Sequence, residues 1–234
     1  MPSITILAMA RTTGRSDTRE KLLHAAEQLF ATQGVDGAQT RDIVRLAGQA
    51  NPSAVQYHFG SRAGLLDEIM KARQERTERV LAQRLPELAG LALPELLRAL
   101  IDAEATELRT AHGRHALRIS AQLGHQSGPS GGYSGGSSDE PSGGSSAVLP
   151  ASLGQQRFVD HLTERLAVPP GVPGLPEPVR RQRLDLALTL IRTALADRAR
   201  QYTDGEQLLT DEAFFLADLA SMAAALLQAP LPAP

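Results

Sequence analysis

The sequence predicts an all-α fold, with a small three-helix domain near the N-terminus followed by a larger helical domain. Three observations predict it. Apolar residues recur at three- and four-residue spacing through most of the chain, the period of a helix with one buried face. Aromatic residues make up only 3% and Trp is absent, so the core must be built mainly from Leu, Ala, Ile and Val, a mixture that favours helices over strands. Gly, Pro and capping residues punctuate the periodic segments at helix-like intervals.

The elements follow in order. From Thr18 to Thr32, Leu22, Leu23, Ala25, Ala26, Leu29 and Phe30 line one face, with Asp17 as the expected N-cap and Gly34 and Gly37 as stops. Residues 1–16 read as a flexible arm. MPSITILAMA lacks the basic start and the length of an export signal, and because Met9 begins a more typical polar start, residues 1–8 read as the product of an upstream start codon or as disordered. Thr40 is placed to cap a short helix carrying Ile43, Val44 and Ala47, which Gly48 ends. Asn51-Pro52 opens another, with Pro at a first helical position. Ser61 should cap a long helix to about Leu85, facing Leu65, Leu66, Ile69 and Met70 inward. The small domain is expected over 17–62 and the larger one over 63–234.

Further helices are expected from Pro94, over Gly113–Leu123, over Ser152–Leu166, at 177–201 and at 210–228. Residues 126–146 are almost entirely Gly, Ser and Pro, a composition that cannot pack a core and predicts a disordered loop. Within 213–227, thirteen of fifteen residues are apolar, so the last helix should be buried on more than one side.

Charge is unevenly spread. Residues 1–62 hold seven Lys/Arg against five Asp/Glu, whereas the rest hold 17 against 21. A mildly basic front on an acidic body fits a small nucleic-acid-binding domain. There is no Cys, which excludes disulfides and thiolate metal sites. No run of about 18 apolar residues predicts a membrane span.

Residues 40–60, TRDIVRLAGQANPSAVQYHFG, have the spacing of a helix-turn-helix, whose second helix enters the major groove of DNA. The wider stretch 19–66 resembles the N-terminal domain of the TetR (tetracycline-repressor-type) family. Leu22-Leu23, Ala25-Ala26, Leu29-Phe30, Gly34, Thr40, Ile43, Ala47-Gly48, Tyr57-His58-Phe59, Ser61 and Leu65-Leu66 carry the resemblance, and YHFGSRAGLL is close to the family hallmark. Two positions depart from it: Arg62 stands where the family usually has Lys, and Gln49-Ala50-Asn51 replaces the common turn.

The resemblance and the side-chain chemistry together imply roles. Thr40 would cap its helix and donate to phosphate, and Arg41 would reach a phosphate or base edge. Ser53, Ala54 and Gln56 would lie on the recognition helix, Gln56 pairing with adenine and Ala54 touching a thymine methyl. Tyr57, His58 and Arg62 would contact phosphates. Phe59 would mainly pack.

For the larger domain, the resemblance implies a pocket for a small hydrophobic or amphipathic effector, with Leu97, Leu100, Ile101, Leu117, Leu123, Phe158 and Leu162 as candidate linings. It also implies a two-fold homodimer through Leu188, Ile191, Leu195, Phe215, Leu219, Met222 and Leu226. The expected protein is therefore a cytoplasmic homodimeric transcription regulator, a repressor released from a palindromic operator on double-stranded DNA by its effector. The alternative is a sensor or interaction protein of the same fold that does not bind DNA.

No enzyme, cofactor or metal site is expected. Ser130 and Ser134 fall in G-x-S-x-G patterns, but inside a Gly/Ser tract rather than a strand–turn–helix. His112 and His115 could share a helical face, yet lack further ligands.

Overall fold

The computed structural model describes residues 3–88, 91–126 and 175–231, with side chains over 16–84, 91–124 and 175–231. The described residues form helices α1 (Ser3–Gln33), α2 (Thr40–Leu46), α3 (Ala54–Phe59), α4 (Arg62–Leu88), α5 (Leu93–Ala105), α6 (Ala111–Gln126), α7 (Glu177–Asp204) and α8 (Glu212–Gln228). A 3-10 turn over Thr106–Arg109 separates α5 from α6, and no strand occurs among the described residues. The fold is all-α. The expected helix at 152–166, and the Gly/Ser segment apart from Gln126, lie outside the described residues.

The chain divides into two compact units, Met1–Ala72 and Arg73–Pro234. The division falls inside α4, not at Arg62 where Gly60-Ser61 break the sequence. The reason is local: the first turns of α4 bury Leu65 and Ile69 in the first unit before the helix runs on without interruption.

In the first unit, Leu22, Ala26, Phe30, Ile43, Val55 and Leu65 are almost fully buried. Removing each of the larger side chains from water contributes about 1.5–3 kcal/mol. Helix α1 begins well before the expected start at Thr18. Residues 3–13 contain neither Gly nor Pro, so nothing stops the helix there, and Gly14 alone costs only about 1 kcal/mol. Asp17 consequently sits inside the helix and accepts from Lys21 Nζ at 2.7 Å instead of capping. Across the unit, Arg19 donates to Glu68 at 2.5 Å and lies 5.0 Å from the Phe59 ring centroid, tying α1 to α4 and to the end of α3.

In the second unit, α5 packs on α8, α6 on α7, and α7 on α8. Leu81, Leu96, Leu97, Ile101, Leu108, Ile191, Leu195 and Leu219 form its core. Helix ends are satisfied locally. Asp211 Oδ1 accepts from Phe214 N at 2.8 Å to cap α8, and Glu95 accepts from Ala92 N at 2.9 Å at the start of α5. Arg198, buried, donates to the Thr210 carbonyl at 3.0 Å and stacks 4.0 Å from the Phe215 ring, holding the α7–α8 corner.

Thr110 Oγ1 caps α6 by accepting from Gly113 N at 3.0 Å. A Cβ at Gly113 would fall 2.7 Å from Glu107 Cα and closer still to the Glu107 carbonyl oxygen. The 3-10 turn and α6 therefore approach too closely for a side chain. Gly113→Ala should lower unfolding stability by about 1–3 kcal/mol, the usual cost of overpacking; chemical denaturation of the two proteins measures the difference.

Candidate nucleic-acid interface

Two left-handed glycines frame the recognition element. Gly48 (φ 66) ends the turn after α2, and Gly60 (φ 73) ends α3. A Cβ is disfavoured at such angles, so the chain reverses there at little strain. Between them, Asn51 Oδ1 accepts from Ser53 N at 3.0 Å, and Ala54 N donates to the Asn51 carbonyl at 3.1 Å. This side-chain turn starts α3, with Ser53 as its N-cap residue. Pro52 lies in the turn before the helix, not at its first position. Ser61 Oγ accepts from Gly64 N at 2.9 Å and so caps α4 as the sequence predicts.

The structure separates the predicted contact residues into two groups. Arg41, Ser53, Gln56 and Tyr57 are exposed, Tyr57 at 64%. Arg41 takes part in no ion pair among the described residues, whereas Arg45 is held by Asp42 at 2.9 Å. His58 is half-buried and stands edge-on to the Tyr57 ring at 5.0 Å. These side chains share the outer side of α2 and α3, while Ile43, Val44, Ala54 and Val55 face the core.

Three predicted roles need correction. Ala54 is 5% exposed, so its methyl belongs to the core and is not available to a thymine. Thr40 is the first residue of α2 and not its cap. Gln39 holds the N-cap position, and no side-chain capping bond forms there.

Arg62 is directed inward. Its Nε donates to the Ala38 carbonyl at 2.9 Å and its guanidinium lies 5.2 Å from the Phe30 ring. It therefore braces the turn between α1 and α2 against α4, and it is a positioning residue. Sequence reasoning missed this because the acceptor is a backbone carbonyl 24 residues away. It likewise gave Arg19 no role, although that side chain pins Phe59.

In the second unit, Leu97, Leu100, Ile101 and Leu117 are buried core, and Leu123 is half-buried. Phe158 and Leu162 lie outside the described residues, as do Ser130 and Ser134. An open groove of about 440 Å³ occurs elsewhere, among Arg84, Leu91, Glu95, Arg98, Ala217 and Ser221. Its charges are already engaged, because Asp102 accepts from Arg98 at 2.7 Å and pairs with Arg84 at 3.5 Å. None of the predicted lining residues among the described ones borders it.

The predicted dimer residues also divide. Ile191, Leu195 and Leu219 are interior to the second unit. Leu188, Phe215 and Leu226 are half-buried, and Met222 is 46% exposed. The outward apolar positions of α7 and α8 are Met222, which was predicted, and Leu186 and Phe214, which were not. On α8 the reason is phase, because a helix apolar nearly all round does not reveal which face its own unit covers; on α7 the single apolar face that carries Ile191 and Leu195 is taken up by its own unit.

His112 is exposed and His115 half-buried. Burial, then the neighbouring Arg118, His112 and Arg114, pushes the His115 imidazole below its ordinary value. No group of three or more His, Cys, Asp or Glu placed to hold a metal occurs among the described residues.

Arg62→Ala should lose a charge-assisted bond to a backbone carbonyl and its packing on Phe30. The expected loss of stability is about 1.5–3 kcal/mol. Tyr57→Phe should leave stability within about 0.5 kcal/mol, as for other exposed substitutions. Thermal unfolding of the two variants checks the contrast.

Residues 22–69, which run from α1 through the start of α4, match the family described as bacterial regulatory proteins, tetR family. The chain is 35% identical over 72 residues to the uncharacterized HTH-type transcriptional regulator TtgW of Pseudomonas putida. That match covers 30% of this chain and 53% of the relative, so the chain spans about half the length of the curated protein it resembles. A solved structure assigned to the TetR-family transcriptional regulators, from Mesorhizobium loti, aligns with 91% of this chain and 96% of its own at 14% identity and a TM-score of 0.41. With the helix-turn-helix geometry of α2 and α3, the match over residues 22–69 identifies this part of the chain as the N-terminal domain of the tetR family of bacterial regulatory proteins.

Proposed function

We propose that the protein is a sequence-specific, DNA-binding transcription regulator that acts in the cytoplasm as a homodimer. Its DNA-binding mode is repression relieved by a small hydrophobic or amphipathic effector. One observation carries the reading: Arg41, Ser53, Gln56 and Tyr57 are exposed together on the outer side of a helix-turn-helix whose inner side is fully packed. An exposed cation, an amide, a phenol and a hydroxyl suit the division of labour at a DNA interface, where phosphate contacts position and base-edge contacts specify. Gln56 has the donor–acceptor pair that matches adenine in the major groove. Arg62 is assigned to support, and Ala54 to packing.

A second copy is proposed to cover the outward stripe of Leu186, Phe214 and Met222, so that α7 and α8 of two protomers form the two-fold interface. A dimer of this kind reads an operator with two related half-sites. The effector is proposed to bind in the second unit. It must bind two states of the protein unequally, since equal affinity shifts nothing.

The test is duplex binding by fluorescence anisotropy across a salt series, for wild type, Arg41→Ala and Gln56→Ala. Wild-type affinity should fall steeply with salt as counterions are released. Arg41→Ala should weaken all sequences and make the salt slope shallower by about one. Gln56→Ala should cost about 1–3 kcal/mol on the preferred duplex alone. A folded dimer that binds no duplex at low salt would instead support a sensor of the same fold that does not contact DNA.

A further inference from the structure

The core anchors helix α3 at one end only. Ala54 and Val55, at its start, are buried, whereas Gln56 and Tyr57 are exposed and His58 and Phe59 are half-buried. Among the helices, α3 packs chiefly on α2. The half of α3 that carries Gln56, Tyr57 and His58 therefore has no fully buried residue of its own. The chain that follows is permissive, because α3 joins α4 through Gly60-Ser61 and a glycine turns in many directions at little cost.

A side chain from outside the helix-turn-helix reaches this half. The guanidinium carbon of Arg19, on α1, lies 5.0 Å from the Phe59 ring centroid. Its Nη2 donates to Glu68 Oε2, on α4, at 2.5 Å. One planar group thus serves a ring and a carboxylate at once, which a guanidinium does better than an ammonium. Phe59 lies 6.2 Å from the His58 ring, tilted by 52°, and His58 stands edge-on to Tyr57 at 5.0 Å. Three consecutive rings therefore lead from Arg19 to the exposed phenol, and a displacement of Phe59 is passed along them.

Magnitudes separate a positioning role from a merely stabilising one. The Arg19 and Glu68 side chains are 42% and 45% exposed. An exposed ion pair adds little to global stability, because water screens it and two long side chains are immobilised. An exposed cation–π contact is of the same small order. These contacts are too weak to hold the fold together, yet sufficient to favour one arrangement of the less buried half of a six-residue helix. Arg19 is also spent on Glu68, so it is not the open cation that Arg41 is.

We propose that Arg19, anchored by Glu68, is a positioning residue for the DNA-reading surface: it clamps Phe59, fixes the second half of α3 and with it Tyr57 and His58, and does not itself touch DNA. The consequence for recognition rests on the proposed DNA-binding function, whereas the clamp is a property of the free protein.

The test compares full-length wild type with Arg19→Gln, Arg19→Lys, Phe59→Leu and the Arg19→Gln/Phe59→Leu double variant. Hydrogen exchange in the free proteins is followed at two amides. Gly60 N donates to the Gln56 carbonyl at 3.0 Å across the last turn of α3, and Leu65 N donates to the Ser61 carbonyl at 3.1 Å in α4. Arg19→Gln and Phe59→Leu should each speed exchange at Gly60 by about threefold to tenfold, the range that the two contacts supply together. Exchange at Leu65 should not change, and the thermal midpoint should stay within about 5 °C. Binding is read by anisotropy on the duplex that wild type most enriches from a random library and on a scrambled duplex of the same composition. The same two variants should weaken the enriched duplex by about threefold to tenfold, leave the scrambled one unaffected and keep the salt slope. The double variant should lose no more than the worse single one, because both substitutions open one clamp. Arg19→Lys keeps the charge but should not restore wild-type exchange or affinity. Wild-type exchange at Gly60 in Arg19→Gln, additive losses in the double variant, or a salt slope shallower by about one on both duplexes with affinity kept by Arg19→Lys would each overturn the proposal; the last outcome makes Arg19 a phosphate contact. Unchanged exchange beside intact DNA binding rejects the clamp alone. Faster exchange in the variants of a protein whose wild type binds no duplex upholds the clamp and rejects the DNA-binding function.

Discussion

Helix α3 has six residues, too few to hold itself together. An isolated helix of that length does not persist in water, because its nucleation cost is never recovered along so few bonds. Its conformation is therefore imposed from outside. Asn51 starts it with a side-chain turn, and Gly60 ends it in a left-handed conformation. Ala54 and Val55 hold it to the core, and Arg19 pins Phe59 at its end. Arg62 performs the same service one layer out, joining the α1–α2 turn to the start of α4. The first unit can be understood as a rigid mount for the few exposed side chains of one short helix. Rigid mounting is what a contact surface needs, since each rotamer fixed before binding is entropy not lost at the moment of binding.

The second unit is held differently. Its apolar core is built from Leu, Ile and Ala, with few aromatic side chains, and its packing is supplemented by buried arginines: Arg73 and Arg198 each sit almost wholly inside. Arg198 donates to the Thr210 carbonyl and hydroxyl and stacks on the Phe215 ring. Arg73 is paired with the Glu104 carboxylate. Desolvating charges rarely adds to stability compared with apolar side chains of similar size.

Much of this was legible in the sequence, and the rest was hidden for physical reasons. The glycines at 48 and 60 and the cap at Ser61 are local signals, readable because turn geometry and capping depend on neighbours a few residues away. The helix-turn-helix itself follows from them. Three things could not be read. The start of α1 was misplaced because Asp17 has the chemistry of a cap and also that of an exposed partner for Lys21. The inward residues of α8 read as partner contacts because near-uniform apolarity carries no phase, and those of α7 because one apolar face suits its own unit and a partner alike. The inward turn of Arg62 and the pairing of Arg73 with Glu104 depend on contacts 24 and 31 residues distant, which no local pattern encodes. For the same reason Ala54 was read as a contact, when its place on α3 makes it the anchor.

The proposed function turns on whether the exposed side of α3 reads DNA. Selection of bound sequences from a random duplex library, with wild-type protein and a Gln56→Ala/Tyr57→Ala control of matched stability, tests this most directly. A DNA-reading α3 should enrich two related half-sites, centred about 10 base pairs apart or a multiple of that, and the control should lose the enrichment. Wild-type protein shown to be folded and dimeric that enriches no sequence at low salt, or a control that enriches the same one, would contradict it.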